Sequence, residues 1–113
     1  MKSKILALSK NEEFKYLLNQ RKMSNRYVTI FFGKLINKDR RNFNISFVTK
    51  RKIGNAVKRN KIKRRLKSIM NEAAKKISIN FDYSFLVIAK SSMLNNEYKI
   101  IKETLFQDLD KIK

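Results

Sequence analysis

KRKIGNAVKRNKIKRRLK, residues 50–67, carries ten basic side chains in eighteen positions and no acid. Gly54-Asn55 reads as a turn followed by a helix N-cap, because an Asn side-chain oxygen can accept the orphaned N–H groups of a first helical turn. Beyond it Ile62, Leu66, Ile69, Met70, Ala73 and Ile77 recur at helical spacing, a stripe that must pack on a sheet. The rest of the helix surface is cationic. At ~100° per residue, Lys58, Lys61 and Arg65 share one flank of the stripe, while Asn60, Arg64 and Lys67 lie further round. Arg59 projects beside the stripe in the first turn, where it can reach past the sheet edge.

So much like charge at a helix entrance asks for a partner. Cations are disfavoured at the positive end of the helix dipole and anions favoured. Free N–H groups, a short Gly-Asn turn and clustered cations together make a phosphate site. A merely solvated face would interleave acids for i,i+4 pairing, yet none occurs between Asp39 and Glu72. A membrane-surface helix would need a broad apolar face, and this stripe is narrow and needed by the sheet. The expected partner is a nucleic-acid backbone.

The whole composition agrees. Lys and Arg total 28 against 9 acids, a net charge of +19 on 113 residues, a field that attracts polyanions. Apolar content of 42% is that of a folded chain. With no Cys and no His, disulfides, the usual zinc sets, thiolate nucleophiles and the commonest general base are all absent. The missing Cys fit a reducing cytoplasm. Ile5-Leu6-Ala7-Leu8 is too short for a signal-peptide core, and no run approaches a membrane span. With no Pro, two Gly and no repeat, residues 1–113 read as one domain.

Outward from the basic segment, Ser9-Lys10-Asn11-Glu12 has the S-x-x-E spacing of a capping box. Phe14, Leu17 and Leu18 follow on one face, so a helix is predicted from Ser9 to about Gln20. Residues 26–36, rich in β-branched and aromatic types, read as a strand apolar on both faces. Residues 37–42 are a polar turn, and 43–49 form a second strand, expected antiparallel to the first. Residues 82–89 make a further strand, and 96–112 return to helical spacing through Ile100, Ile101, Leu105, Leu109 and Ile112. The expected architecture is an α+β sandwich, helices on an essentially antiparallel sheet.

The segment also resembles a known signature. Arg51-Lys52-Ile53-Gly54-Asn55-Ala56-Val57, then Arg59-Asn60-Lys61 and Ile62-Lys63-Arg64, is similar to the lead-in and "RNR" motif of the bacterial ribonuclease P protein family. Leu8 to Phe14 matches the family's opening L-x-K-N-x-x-F. Asn25-Arg26 precedes the first strand, and Asp82-Tyr83 opens the later one, as they do there. Lys61 replaces the usual second arginine, keeping charge but losing the planar fork, and Lys90 stands where an arginine is common.

The resemblance implies a four-stranded sheet, mainly antiparallel, with a left-handed βαβ crossover, the fold of the second domain of ribosomal protein S5. Handedness rules alone would have given the opposite hand, and the fourth strand has no visible pattern. It further implies a protein subunit whose catalyst is an RNA, with Mg2+ held mainly by that RNA, and precursor tRNA as substrate, cleaved to remove the 5′ leader. Arg51, Lys52, Asn55, Lys58, Arg59, Asn60, Lys61, Lys63, Arg64 and Arg65 would face the catalytic RNA. A cleft between the first helix and the sheet would hold the leader, with Phe14, Leu18, Tyr27 and Phe31 in it and Lys10 and Asn11 at its phosphates or at a hydrated metal. The spacing of Phe14 and Phe31 fits core and cleft alike.

Three other classes compete. A ribosomal-type structural RNA-binding protein shares the charge but not the joined motif. A stand-alone nuclease lacks a base or acidic cluster here. For a DNA-binding module, two short helices joined by a tight turn are not evident, and no DNA partner is expected.

Overall fold

The computed structural model describes residues 5–6, 11–34, 43–76 and 83–112. Along the chain these form β1 (Ile5–Leu6), α1 (Asn11–Leu18), β2 (Arg21–Ser24), β3 (Val28–Lys34), β4 (Phe43–Val48), α2 (Ala56–Lys76), β5 (Tyr83–Ala89) and α3 (Tyr98–Lys111). Short 3₁₀ turns at Arg51–Ile53 and Ser91–Leu94 lead into α2 and α3. Ser9, Lys10, Ile77 and Asp82 lie outside the described residues.

The sheet order is β1-β4-β5-β3-β2. Strand β5 is central: it pairs antiparallel with β3, Val28 opposite Ala89, and parallel with β4, Val48 opposite Ile88. β2 pairs antiparallel with β3, so two of the three joints in the four-stranded body are antiparallel. The short β1 adds a parallel edge beside β4. β3 and β4 run in opposite directions as expected, with β5 lying between them. Parallel β4 and β5 are joined through α2, the crossover that parallel neighbours require.

β5 reads YSFLVIA because it is covered on both faces. On one face Phe85, Val87 and Ala89 join Val28, Ile30 and Phe32 of β3 and Ile45 of β4, packed beneath Ile62, Leu66, Ile69, Met70 and Ala73 of α2 and Ile101, Leu105 and Leu109 of α3. The predicted α2 stripe is thus the underside of the main core. On the other face Leu86 meets Leu17 of α1, with Phe14, Phe31, Val48 and Ile88 partly buried around them. Among the described residues no helix is long and apolar enough to cross a membrane.

Candidate nucleic-acid interface

The entrance to α2 is built by backbone chemistry. Ile53 N–H donates to Lys50 C=O at 3.0 Å and Gly54 N–H to Arg51 C=O at 3.2 Å, closing the 3₁₀ turn. Buried Ile53 pins that turn to the core, which leaves Arg51 and Lys52 exposed. Asn55 then caps the helix: its Oδ1 accepts the Lys58 N–H at 3.0 Å, and its C=O accepts the Arg59 N–H at 3.0 Å. A Cβ on Gly54 would stand 2.9 Å from Lys58 Cδ and 3.3 Å from Lys58 Cβ. Glycine therefore lets the Lys58 side chain lie across the helix entrance.

Lys58, Asn60, Lys61, Lys63 and Arg64 are exposed along the helix, together with Arg51, Lys52 and Asn55 ahead of it. Arg59 and Arg65 are partly buried, each for its own reason. Arg65 Nη1 donates to Met93 C=O at 3.5 Å, which ties α2 to the second 3₁₀ turn. Arg59 Nε is enclosed with no acceptor, and an unmet buried donor costs ~1–3 kcal/mol.

Among the described residues no carboxylate forms an ion pair with this surface. Among the described residues the ion pairs lie at the far end of α2, from Glu72 to Lys102 at 3.1 Å and to Lys76 at 3.8 Å. There is no acid in the first turn of α2.

On the α1 face, Phe14 and Phe31 do come together, half-buried over Leu17 and Leu86. Both side chains remain partly exposed. Leu18 is 46% exposed on α1. Lys10 lies outside the described residues, and Asn11 is the first residue of α1. Tyr27 is a correction: it is 2% exposed and belongs to the main core on the opposite face. Asn25 Oδ1 accepts the Tyr27 and Val28 N–H groups at 2.8 and 2.9 Å, a side-chain-closed turn that directs the ring inward, so Tyr27 is no stacking platform.

Where this sheet face meets the α2 entrance there is a groove of about 590 Å³. Ile53, Ile88 and Ala89 give it an apolar floor, and Lys50, Lys52, Lys90, Thr29 and Ser91 complete its walls. Thr29, Lys50 and Lys90 were not among the sequence-derived candidates. The signal for Lys90 is its place after the apolar strand, where the resembled family commonly has an arginine. Among the described residues no group of three or more acidic side chains converges.

Known proteins of one family match this chain in sequence and in fold. The family model "Ribonuclease P" matches residues 3–113. The ribonuclease P protein component of Carboxydothermus hydrogenoformans is 38% identical over 104 residues, covering 87% of this chain and 83% of the relative. That of Mesoplasma florum is 31% identical over 99 residues, covering 87% and 86%. Among solved structures, the Thermotoga maritima RNase P protein superposes with a TM-score of 0.78 at 23% identity, over 95% of this chain and 97% of that one. The Staphylococcus aureus protein gives 0.76 at 24%, over 94% and 93%. At these identities the structural likeness is one of fold, and the sequence matches carry the assignment: the chain belongs to the ribonuclease P protein family.

Proposed function

We propose that this protein component of ribonuclease P binds the enzyme's catalytic RNA through Arg51, Lys52 and the first turns of α2, and the 5′ leader of precursor tRNA across the α1 face. The observation that carries the reading is the cation surface of residues 50–67, built on a capped helix entrance and free of ion pairs among the described residues. Backbone phosphate supplies the missing charge, and each cation that meets one releases a counterion. Phe14 and Phe31 offer faces for unpaired bases, worth ~1–3 kcal/mol per stacked base.

Bond cleavage belongs to the RNA in this reading. With no His and no Cys, the chain lacks the side chains that most often serve as base or nucleophile. Mg2+ is likewise held by the RNA, and the protein's part is to neutralise phosphates that would otherwise demand more free cation. The setting is the cytoplasm.

Reconstitution tests this. The protein alone leaves precursor tRNA intact. Added to its RNA partner at low magnesium, it restores leader removal. Binding to that RNA without any gain in cleavage would instead leave a structural RNA-binding protein, and cleavage by the polypeptide alone would overturn the division of labour.

A further inference from the structure

The β2–β3 connection is held more firmly than a hairpin turn requires. Inside it, Asn25 N–H donates to Val28 C=O at 3.0 Å, and Asn25 Oδ1 accepts from Tyr27 and Val28. That alone would close the turn. Yet other elements grip it from outside. Asn25 Nδ2 donates to Asp108 Oδ2 on α3 at 2.7 Å. Lys90 Nζ donates to Ser24 Oγ at 2.9 Å and to Asn25 C=O at 2.5 Å, while Lys90 N–H donates to Tyr27 C=O at 2.8 Å. Ser92 Oγ donates to Arg26 C=O at 2.6 Å.

One exposed side chain of the connection takes no part in these bonds. Arg26 is exposed, and only its carbonyl is engaged. The turn is therefore a rigid mount for a single guanidinium. Its position matters: the pairings Val28–Ala89 and Val48–Ile88 put it at the same end of the sheet as the segment leading into α2. Lys90 and Ser91 line the groove there with Lys50 and Lys52. Lys90 itself is committed inward, since its ammonium is bonded within the protein.

We propose that Arg26 is an RNA-phosphate contact beyond the α2 surface, and that Lys90 is the positioning residue that fixes it. The proposal rests on the RNA-binding reading above. A guanidinium matches phosphate geometry, and a mount ordered in advance reduces the entropy lost on binding. The ligand chemistry is the ribose-phosphate backbone, which two sources can present: the catalytic RNA or the leader of the substrate.

Two binding measurements distinguish them, each run over a range of salt. One uses the full chain with the catalytic RNA; the other uses the assembled complex with precursor tRNA against mature tRNA. Arg26→Ala should reduce the log–log salt slope by about 0.7–0.9 in one of the two, and Arg26→Lys should restore most of it. Loss in the first assigns the catalytic RNA; loss with precursor alone assigns the leader. Lys90→Met should weaken the same measurement, and the double variant should bind no worse than Arg26→Ala, since Lys90 acts through Arg26. Additive losses would overturn the positioning role. If Lys90→Met does not fold, Ser92→Ala, which frees only the Arg26 carbonyl, replaces it in the cycle. An unchanged slope for Arg26→Ala while the wild type binds RNA overturns this proposal alone; no RNA binding by the wild type overturns the reading beneath it as well.

Discussion

Asn55 and Lys58 close the entrance of α2 between them, the Lys58 N–H donating to Asn55 Oδ1 at 3.0 Å. An aspartate would cap as well and would add favourable charge at the positive end of the dipole. The neutral amide caps the helix without cancelling any of the positive potential around it.

Replacing that cap separates folding from binding. Asn55→Ala should cost ~0.5–2 kcal/mol in stability. Asn55→Asp should raise the melting temperature of the free protein while weakening its association with the catalytic RNA. Thermal unfolding and a binding titration on the same samples check both signs, and unchanged binding by Asn55→Asp would place the RNA away from this entrance.

The α2 surface makes an electrostatic prediction. Arg59→Ala and Arg64→Ala should each lower the salt slope of RNA binding by ~0.7–0.9. Lys76→Ala, at the far end of α2 beside Glu72, should leave the slope unchanged. Equal effects from all three would mean that the chain's net charge, and not its α2 entrance, governs binding.

Leu17 and Phe14 should part company despite sharing α1. Leu17 is fully buried against Leu86, so Leu17→Ala should destabilise by ~2–5 kcal/mol and loosen α1 from the sheet. Phe14→Leu keeps an apolar side chain in the cluster but removes the ring face. It should weaken precursor tRNA with a long leader more than mature tRNA. Equal loss for both substrates would make Phe14 a packing residue only.

Salt should act on folding in the opposite sense to its effect on binding. With a net charge of +19, self-repulsion opposes the compact state, and raising ionic strength from about 0.01 to 0.15 M shortens the Debye length from about 30 to 8 Å. The thermal midpoint of the free protein should rise over that interval as RNA affinity falls. A falling midpoint would show that attractive ion pairs, not repulsion, dominate the fold.

Much of this architecture was legible because burial leaves a periodic trace. The α2 stripe from Ile62 to Ala73 and the strands Val28–Lys34, Phe43–Val48 and Tyr83–Ala89 all pack into cores. β2 left none: Arg21-Lys22-Met23-Ser24 is an edge strand with only Met23 packed against the main core, and charged residues there protect an exposed edge. The insertion of β5 between β3 and β4 is a pairing between distant segments, which local pattern does not encode.

The site divided along similar lines. Exposed cations on α2 follow from helical phase, and the structure leaves them where that phase put them. Tyr27 did not follow, because the Asn25 side chain and not strand alternation sets its direction. Lys90 stands out in the sequence only as a place where the family commonly has arginine, whereas its partners, Ser24 at the end of β2 and Asn25 in the turn, lie 66 and 65 positions away.

The unpaired α2 entrance has a bearing on supply. A copy made in excess of its RNA keeps its repulsion unrelieved and gains none of the stabilisation that a ligand confers by mass action. Such orphan subunits open more often than assembled ones and are the first that proteases meet. The cellular level of the polypeptide should therefore follow that of its RNA, with turnover of the surplus setting the stoichiometry.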